Sequence, residues 1–271
     1  MSRILAAVAV ATALTAACGI AQGPRASAQP DGDTATCESA THPIPVVLLH
    51  GTLDSAVVWN VLAPQLTAAG YCVYAPTYGV AGAIPGLGGV APVAESATEI
   101  SSFLDRVLTT TGAGQVDIVG HSQGGTITEY LAKNGGRSSR IRSAILLAPV
   151  SHGTTLSGAV EVATAFPGLR ELVDSTVLPT FCAGCADLET GSDFITALGA
   201  GPLARPGVRY AVLATRDDVV ATPAGPASFI TEPGVTNQYV QDLNPQPVSH
   251  KDLPRDATAV RWILENLGMA T

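Results

Sequence analysis

Gly120-His121-Ser122-Gln123-Gly124 sets a serine between two glycines, directly after a strand pattern at 116–119 and directly before a helical pattern reaching about Lys133. A serine on a sharp turn between strand and helix holds its hydroxyl above the strand end. The first N–H groups of the following helix lie at its positive end and favour an oxyanion. Gly120 and Gly124 lack the side chains that would collide across such a turn, and Gly125 allows close strand–helix packing. The chemistry this suggests is nucleophilic attack on an acyl carbonyl, and it needs a base, because a serine hydroxyl is a poor nucleophile on its own. In sites of this kind the acid and then the histidine follow the serine along the chain. Of His42, His50, His121, His152 and His250, only the last two follow Ser122. His152 comes too early, with no strand-end acid between it and the serine, so His250 is the expected base. His121 is expected beside the turn, and His50 and His152 in lining or structural roles. The acid should lie just past the strand pattern at 208–214, where Thr215-Arg216-Asp217-Asp218 offers two carboxylates. Only one can face the imidazole; the other should turn to solvent or to Arg216. Spacing alone leaves Asp217 and Asp218 open.

The elements that must position these groups are legible as hydrophobic patterns. The continuous apolar run at 46–49 reads as a strand buried on both faces, and 71–75, 116–119, 143–148 and 208–214 read as further strands, with a sixth at 235–241. Helical spacing covers 56–69, ended by Gly70, then 92–111, where Ile100, Phe103, Leu104, Val107 and Leu108 share a face, and 256–267. A Gly-rich loop occupies 79–90. Strands alternating with helices predict an α/β fold, a mostly parallel sheet of about six strands with helices on both faces. No linker divides residues 29–271, so one domain is expected. Its segment 151–205, rich in Gly, Pro and Cys, reads as a helical or irregular cap or lid. Apolar positions there from Val160 to Leu178 would wall an acyl pocket.

Composition narrows the class. The chain has 271 residues, 46% hydrophobic and 13% charged, with net charge −8. Global disorder is excluded by the apolar content, and nucleic acid is an unsuitable partner for a chain with no basic cluster. Met1-Ser2-Arg3, an apolar stretch to Ala17 and Ala26-Ser27-Ala28 form the three parts of a cleavable export leader over 1–28, too short for a membrane span. Thr15-Ala16-Ala17-Cys18 resembles a lipid-attachment site, although Thr15 stands where Leu is usual. Without Cys18, four cysteines remain, an even number that in an exported chain suggests two disulfides. Cys182 and Cys185 are close in sequence and should pair, which leaves Cys37 for Cys72. A single C-x-x-C without a second pair or paired histidines is a poor metal site, and no metal or organic cofactor is expected. A monomer outside the membrane is expected.

The chain resembles the α/β-hydrolases, in particular secreted bacterial lipases of the class 2 triacylglycerol type. The resemblance runs from about Cys37 to the C-terminus. It rests on Val46-Val47-Leu48-Leu49-His50-Gly51-Thr52, Tyr71-Cys72-Val73-Tyr74, Gly120 to Gly125, Ala148-Pro149 with His152-Gly153-Thr154-Thr155, and Ala214-Thr215-Arg216 through Thr222-Pro223. In such lipases the acid stands five positions before a proline, which selects Asp218 ahead of Pro223. Asp217 fits a looser acid-x-Val-Val pattern and stays as the alternative. The resemblance also implies an oxyanion hole from the backbone N–H groups of Thr52 and Gln123. It implies a Ser122–His250–Asp218 triad acting through an acyl-enzyme on an ester or lipid substrate, with a lipid–water interface as one setting. Rival readings are a polyesterase, an acyltransferase of the same fold, and a catalytically inactive binding module.

Overall fold

The structure, a computed structural model, describes residues 37, 39, 41–81, 86–156 and 182–268. The expected leader with Cys18, and the apolar cap positions from Val160 to Leu178, lie outside them. Six parallel strands form one sheet in the order β2-β1-β3-β4-β5-β6. They are β1 (Val46–Leu49), β2 (Val73–Tyr74), β3 (Val116–His121), β4 (Ile141–Leu147), β5 (Arg209–Ala214) and β6 (Thr236–Tyr239). The helices are α1 (Leu62–Ala68), α2 (Val93–Thr111), α3 (Gln123–Lys133), α4 (Ala183–Asp187), α5 (Asp193–Gly199), α6 (Val240–Leu243) and α7 (Ala257–Gly268).

Successive side chains of a strand point to opposite faces, and here both faces are apolar. Val47, Leu49, Ala144, Leu146, Tyr210 and Val212 pack with the buried stripe of α2 and with Ile127 and Leu131 of α3. Val46, Leu48, Ile145, Leu147, Ala211 and Leu213 pack the other way, against Leu62 and Leu66 of α1 and Val260, Trp262 and Ile263 of α7. That is why β1 reads as an unbroken apolar run. Asp117 on β3 is fully buried and held by the guanidinium of Arg142, whose Nε lies 2.9 Å from its Oδ1.

Three elements differ from the pattern reading. The helix expected over 56–69 divides into a 3-10 turn at Ala56–Trp59 and α1. Pro64 has no N–H to offer the Asn60 carbonyl, so an α-helical ladder cannot run unbroken through both. The strand at 71–75 shortens to two residues, because β2 is an edge strand paired only with β1. The strand at 235–241 stops at Tyr239, where Asp242 accepts a bond from the Tyr239 N–H and starts α6.

Two sulfur pairs tie the periphery. Cys37 lies against Cys72 at an S–S distance of 2.05 Å, and Cys182 against Cys185 at 1.99 Å. The strand order places the site. From β1 the chain goes outward to β2, then crosses back to put β3 on the other side of β1. The crevice beyond the carboxyl ends of such a pair is where open α/β sheets bind ligands. There β1 delivers His50-Gly51-Thr52, and β3 delivers His121-Ser122.

Candidate active site

Ser122 stands between β3 and α3 with φ 53° and ψ −123°, a backbone state that a non-glycine residue adopts only when its surroundings hold it there. Its N–H donates to the Leu147 carbonyl at 2.9 Å, and its own carbonyl accepts from Gly125 N–H at 2.9 Å. The flanking glycines admit the turn. A Cβ on Gly120 would lie 2.6 Å from the Gly124 carbonyl oxygen, and one on Gly124 would lie 2.6 Å from the His50 carbonyl oxygen. The elbow is thus pressed against both its own helix and the end of β1.

Asp218 and His250 meet in the buried interior of the same face. Asp218 Oδ2 lies 2.7 Å from His250 Nδ1, with both side chains almost wholly buried. The other oxygen, Oδ1, accepts from the N–H groups of Val220 at 2.8 Å and Ala221 at 2.7 Å. With a carboxylate at Nδ1, the proton sits on that nitrogen and Nε2 keeps its lone pair. His121 reaches the same histidine from the serine side. Its Nε2–H donates to the His250 carbonyl at 3.0 Å, and the two rings lie 4.8 Å apart. Burial, reinforced by His250, holds the His121 imidazole well below its usual range, so it stays neutral and serves as a brace.

The β1 end closes the other side. A Cβ on Gly51 would be 3.1 Å from Ser122 Cβ, so the Gly51-Thr52 turn lies directly against the serine. His50 Nδ1–H donates to the Gly51 carbonyl at 2.8 Å, while Nε2 accepts from Tyr78 N–H at 3.3 Å. Desolvation pushes the His50 imidazole down to about 4, which keeps it in this neutral form. A carbonyl and the N–H of the same peptide unit point oppositely. Fixing the Gly51 carbonyl therefore fixes the direction of the Thr52 N–H. The Thr52 hydroxyl is buried and has no partner among the described residues. Gln123 donates its side-chain amide to the Gly89 carbonyl at 3.0 Å, tying the start of α3 to the Gly-rich loop.

The remaining expected residues fall outside this centre. His152 is exposed and faces the Phe229 carbonyl at 2.9 Å. Asp217 does not meet Arg216: that guanidinium pairs with Asp242 at 2.7 Å, while Asp217 Oδ2 accepts from Gln241 and from the Val248 N–H. Sequence reasoning missed this, since its partner is a backbone group far along the chain. It also missed Asp187, whose carboxylate accepts from Val93 N–H at 2.7 Å and caps α2 from α4. Among the described residues, no three or more His, Cys, Asp and Glu side chains gather as metal ligands, and no helix is long and apolar enough to cross a membrane.

A family model described as "Lipase (class 2)" matches residues 43–246. The chain belongs to the class 2 lipase family. The match takes in Ser122 and Asp218 and stops short of His250. No curated protein sequence matches this lipase-family chain. Among solved structures, lipase B of Aspergillus fumigatus superposes with TM-score 0.63 at 17% identity, over 83% of this chain and 52% of that one. The chain thus spans about half the length of that enzyme. The Bacillus licheniformis lipase BlEst2 in its mature form superposes with TM-score 0.62 at 15% identity, over 87% of this chain and 96% of that one. Identities this low speak to the fold, which is that of the α/β-hydrolases. Family and fold together support an ester hydrolase of lipolytic type.

Proposed function

We propose that the protein is a secreted serine carboxylester hydrolase in which Ser122, His250 and Asp218 form a catalytic triad. Ser122 Oγ attacks the ester carbonyl while His250 Nε2 takes its proton. The negative charge that develops on the carbonyl oxygen is met by the backbone N–H groups of Thr52 and Gln123 and by the positive end of α3. His250 then gives the proton to the leaving alcohol, and water repeats the sequence on the acyl-enzyme. Asp218 keeps the imidazole in the tautomer that leaves Nε2 free, and its other oxygen is pinned by two amides, so the carboxylate cannot swing away. No step calls on a metal or organic cofactor.

The observation that carries this reading is the buried Asp218–His250 contact of 2.7 Å at the sheet end that also bears the strained Ser122. Export is supported by the leader pattern and by the two sulfur pairs, which persist in oxidising compartments. Purified protein should be assayed on p-nitrophenyl esters of rising chain length and on emulsified triglyceride, in buffer without an acceptor alcohol. Hydrolysis of soluble esters supports the reading, and turnover of the emulsion makes it a lipase. Turnover that appears only with an added alcohol identifies an acyltransferase, and none on any ester refutes an enzymatic role.

A further inference from the structure

The strand end that carries Asp218 also carries Thr215 and Asp217, which the triad does not use. Thr215 is fully buried. Its hydroxyl lies 2.6 Å from the Val248 carbonyl oxygen and 2.8 Å from Gln241 Nε2, with the Asp217 N–H at 3.2 Å. A hydroxyl has one proton and two lone pairs. The carbonyl can only accept and the two N–H groups can only donate, so every bond at Thr215 has a single possible direction and none is left over. Gln241, in α6, joins the same network through both ends of its amide. Its Nε2 protons go to Thr215 and to Asp217 Oδ2 at 3.0 Å, and its oxygen accepts from Arg216 N–H at 3.0 Å. Asp217 Oδ2 also accepts from the Val248 N–H at 3.1 Å. Both backbone polar groups of Val248 are therefore gripped, the carbonyl by Thr215 and the amide by Asp217. The Val248 side chain is buried against the core.

Val248 stands two residues before His250. We propose that Thr215, Asp217 and Gln241 are positioning residues that lock the loop carrying His250 to the strand end carrying Asp218. The adjacent carboxylates divide the work: Asp218 holds the imidazole, and Asp217 holds the backbone that delivers it. Acid and base are referred to one rigid element, the end of β5, so their separation does not depend on how the intervening chain moves. This rests on the triad reading above. A base misplaced by an ångström costs turnover, whereas the substrate pocket is untouched.

The test measures kcat and KM on one soluble ester for Asp217→Ala, Asp217→Asn, Thr215→Val, Thr215→Ser and Gln241→Ala, with melting temperatures alongside. Asp217 and Gln241 are not buried, so their variants fold even where Thr215→Val does not. Asp217→Ala and Gln241→Ala should lower kcat by about 10- to 100-fold with KM within about twofold. Asn keeps an acceptor for the Val248 N–H, and Ser keeps the hydroxyl, so both conservative variants should recover to within about threefold of the parent. Parental kcat in Asp217→Ala and Gln241→Ala overturns the proposal. So does an Asp217→Asn as poor as Asp217→Ala, because charge rather than the hydrogen bond would then be acting. Ser122→Ala runs as a control. If it is dead while the clamp variants are unaffected, only the clamp fails; if it remains active, the triad reading fails and takes the clamp with it.

Discussion

Replacing Glu129 with Gln should flatten the pH dependence of stability. Glu129 lies on α3 with no exposed surface, and its Oε1 is 2.7 Å from the Ser151 hydroxyl oxygen. That hydroxyl is also 3.0 Å from the Ser228 carbonyl oxygen. One proton cannot be donated to two acceptors, so both bonds form only if Glu129 is protonated and donates to Ser151, which then donates to Ser228. Burial acts in the same direction and pushes the Glu129 carboxyl up to about 8, with Glu232 reinforcing the shift and the nearby Lys133 opposing it. The unfolded chain gives up this proton above its ordinary value of 4.5. Between that pH and about 8 the folded state holds a proton that the unfolded state lacks, so stability falls as pH rises, by roughly 1 kcal/mol per pH unit from this group. For a chain of this size that amounts to about 2–4 °C of melting temperature per unit. Gln preserves the bond, since its amide donates to Ser151 as the acid does. Melting curves of both proteins from pH 5 to 8 should therefore diverge steadily, the variant gaining on the parent, and the parent alone should show the infrared carbonyl band of a buried carboxylic acid. Parallel curves would mean that Glu129 is ionised in the folded protein and that the proton count is wrong.

Asp218→Asn should lower kcat on the order of 10⁴ by favouring the wrong imidazole tautomer; a loss under tenfold on a soluble ester contradicts its assignment. Because burial holds His50 neutral down to about 4, stability is full above pH 6.5 and is lost as pH falls towards 4. In His50→Gln, melting measured across that range should show a shallower acid slope, and an unchanged slope argues against the buried neutral ring. Removing the Cys37–Cys72 bridge, whose loop spans a sequence separation of 35, should cost about 3–4 kcal/mol in denaturant unfolding. Removing Cys182–Cys185, with a separation of 3, should cost much less, and equal losses would refute the loop-entropy argument.

The parts of the fold that could be read from the sequence are those whose cause is local. Val46–Leu49 is apolar throughout because both faces of β1 are covered, and the glycines around Ser122 are required by contacts within a few residues of the turn or with the end of β1. Pro64 carried the division of the first helical segment in plain view, although apolar periodicity alone runs across it. Other features depend on partners distant in sequence. Asp217 is a carboxylate beside Arg216, and only the folded loop offers it Val248 instead. Glu129 sits in a helix, where a glutamate ordinarily faces water, and only the burial of its helix face in the folded chain pushes its carboxyl up. Asp187 caps α2 across 94 residues of chain, a pairing that no local pattern encodes.

The central claim is that Ser122 is the nucleophile, and covalent labelling tests it most directly. The purified protein should be treated with a fluorophosphonate, digested and mapped by mass spectrometry, with Ser122→Ala handled in parallel. The account predicts one adduct per chain, on the peptide bearing Ser122, absent from the variant, together with a loss of ester hydrolysis of about 10⁴–10⁶ in the variant. An adduct on another residue, or a Ser122→Ala protein keeping more than about a tenth of parental turnover against that expected loss, contradicts it.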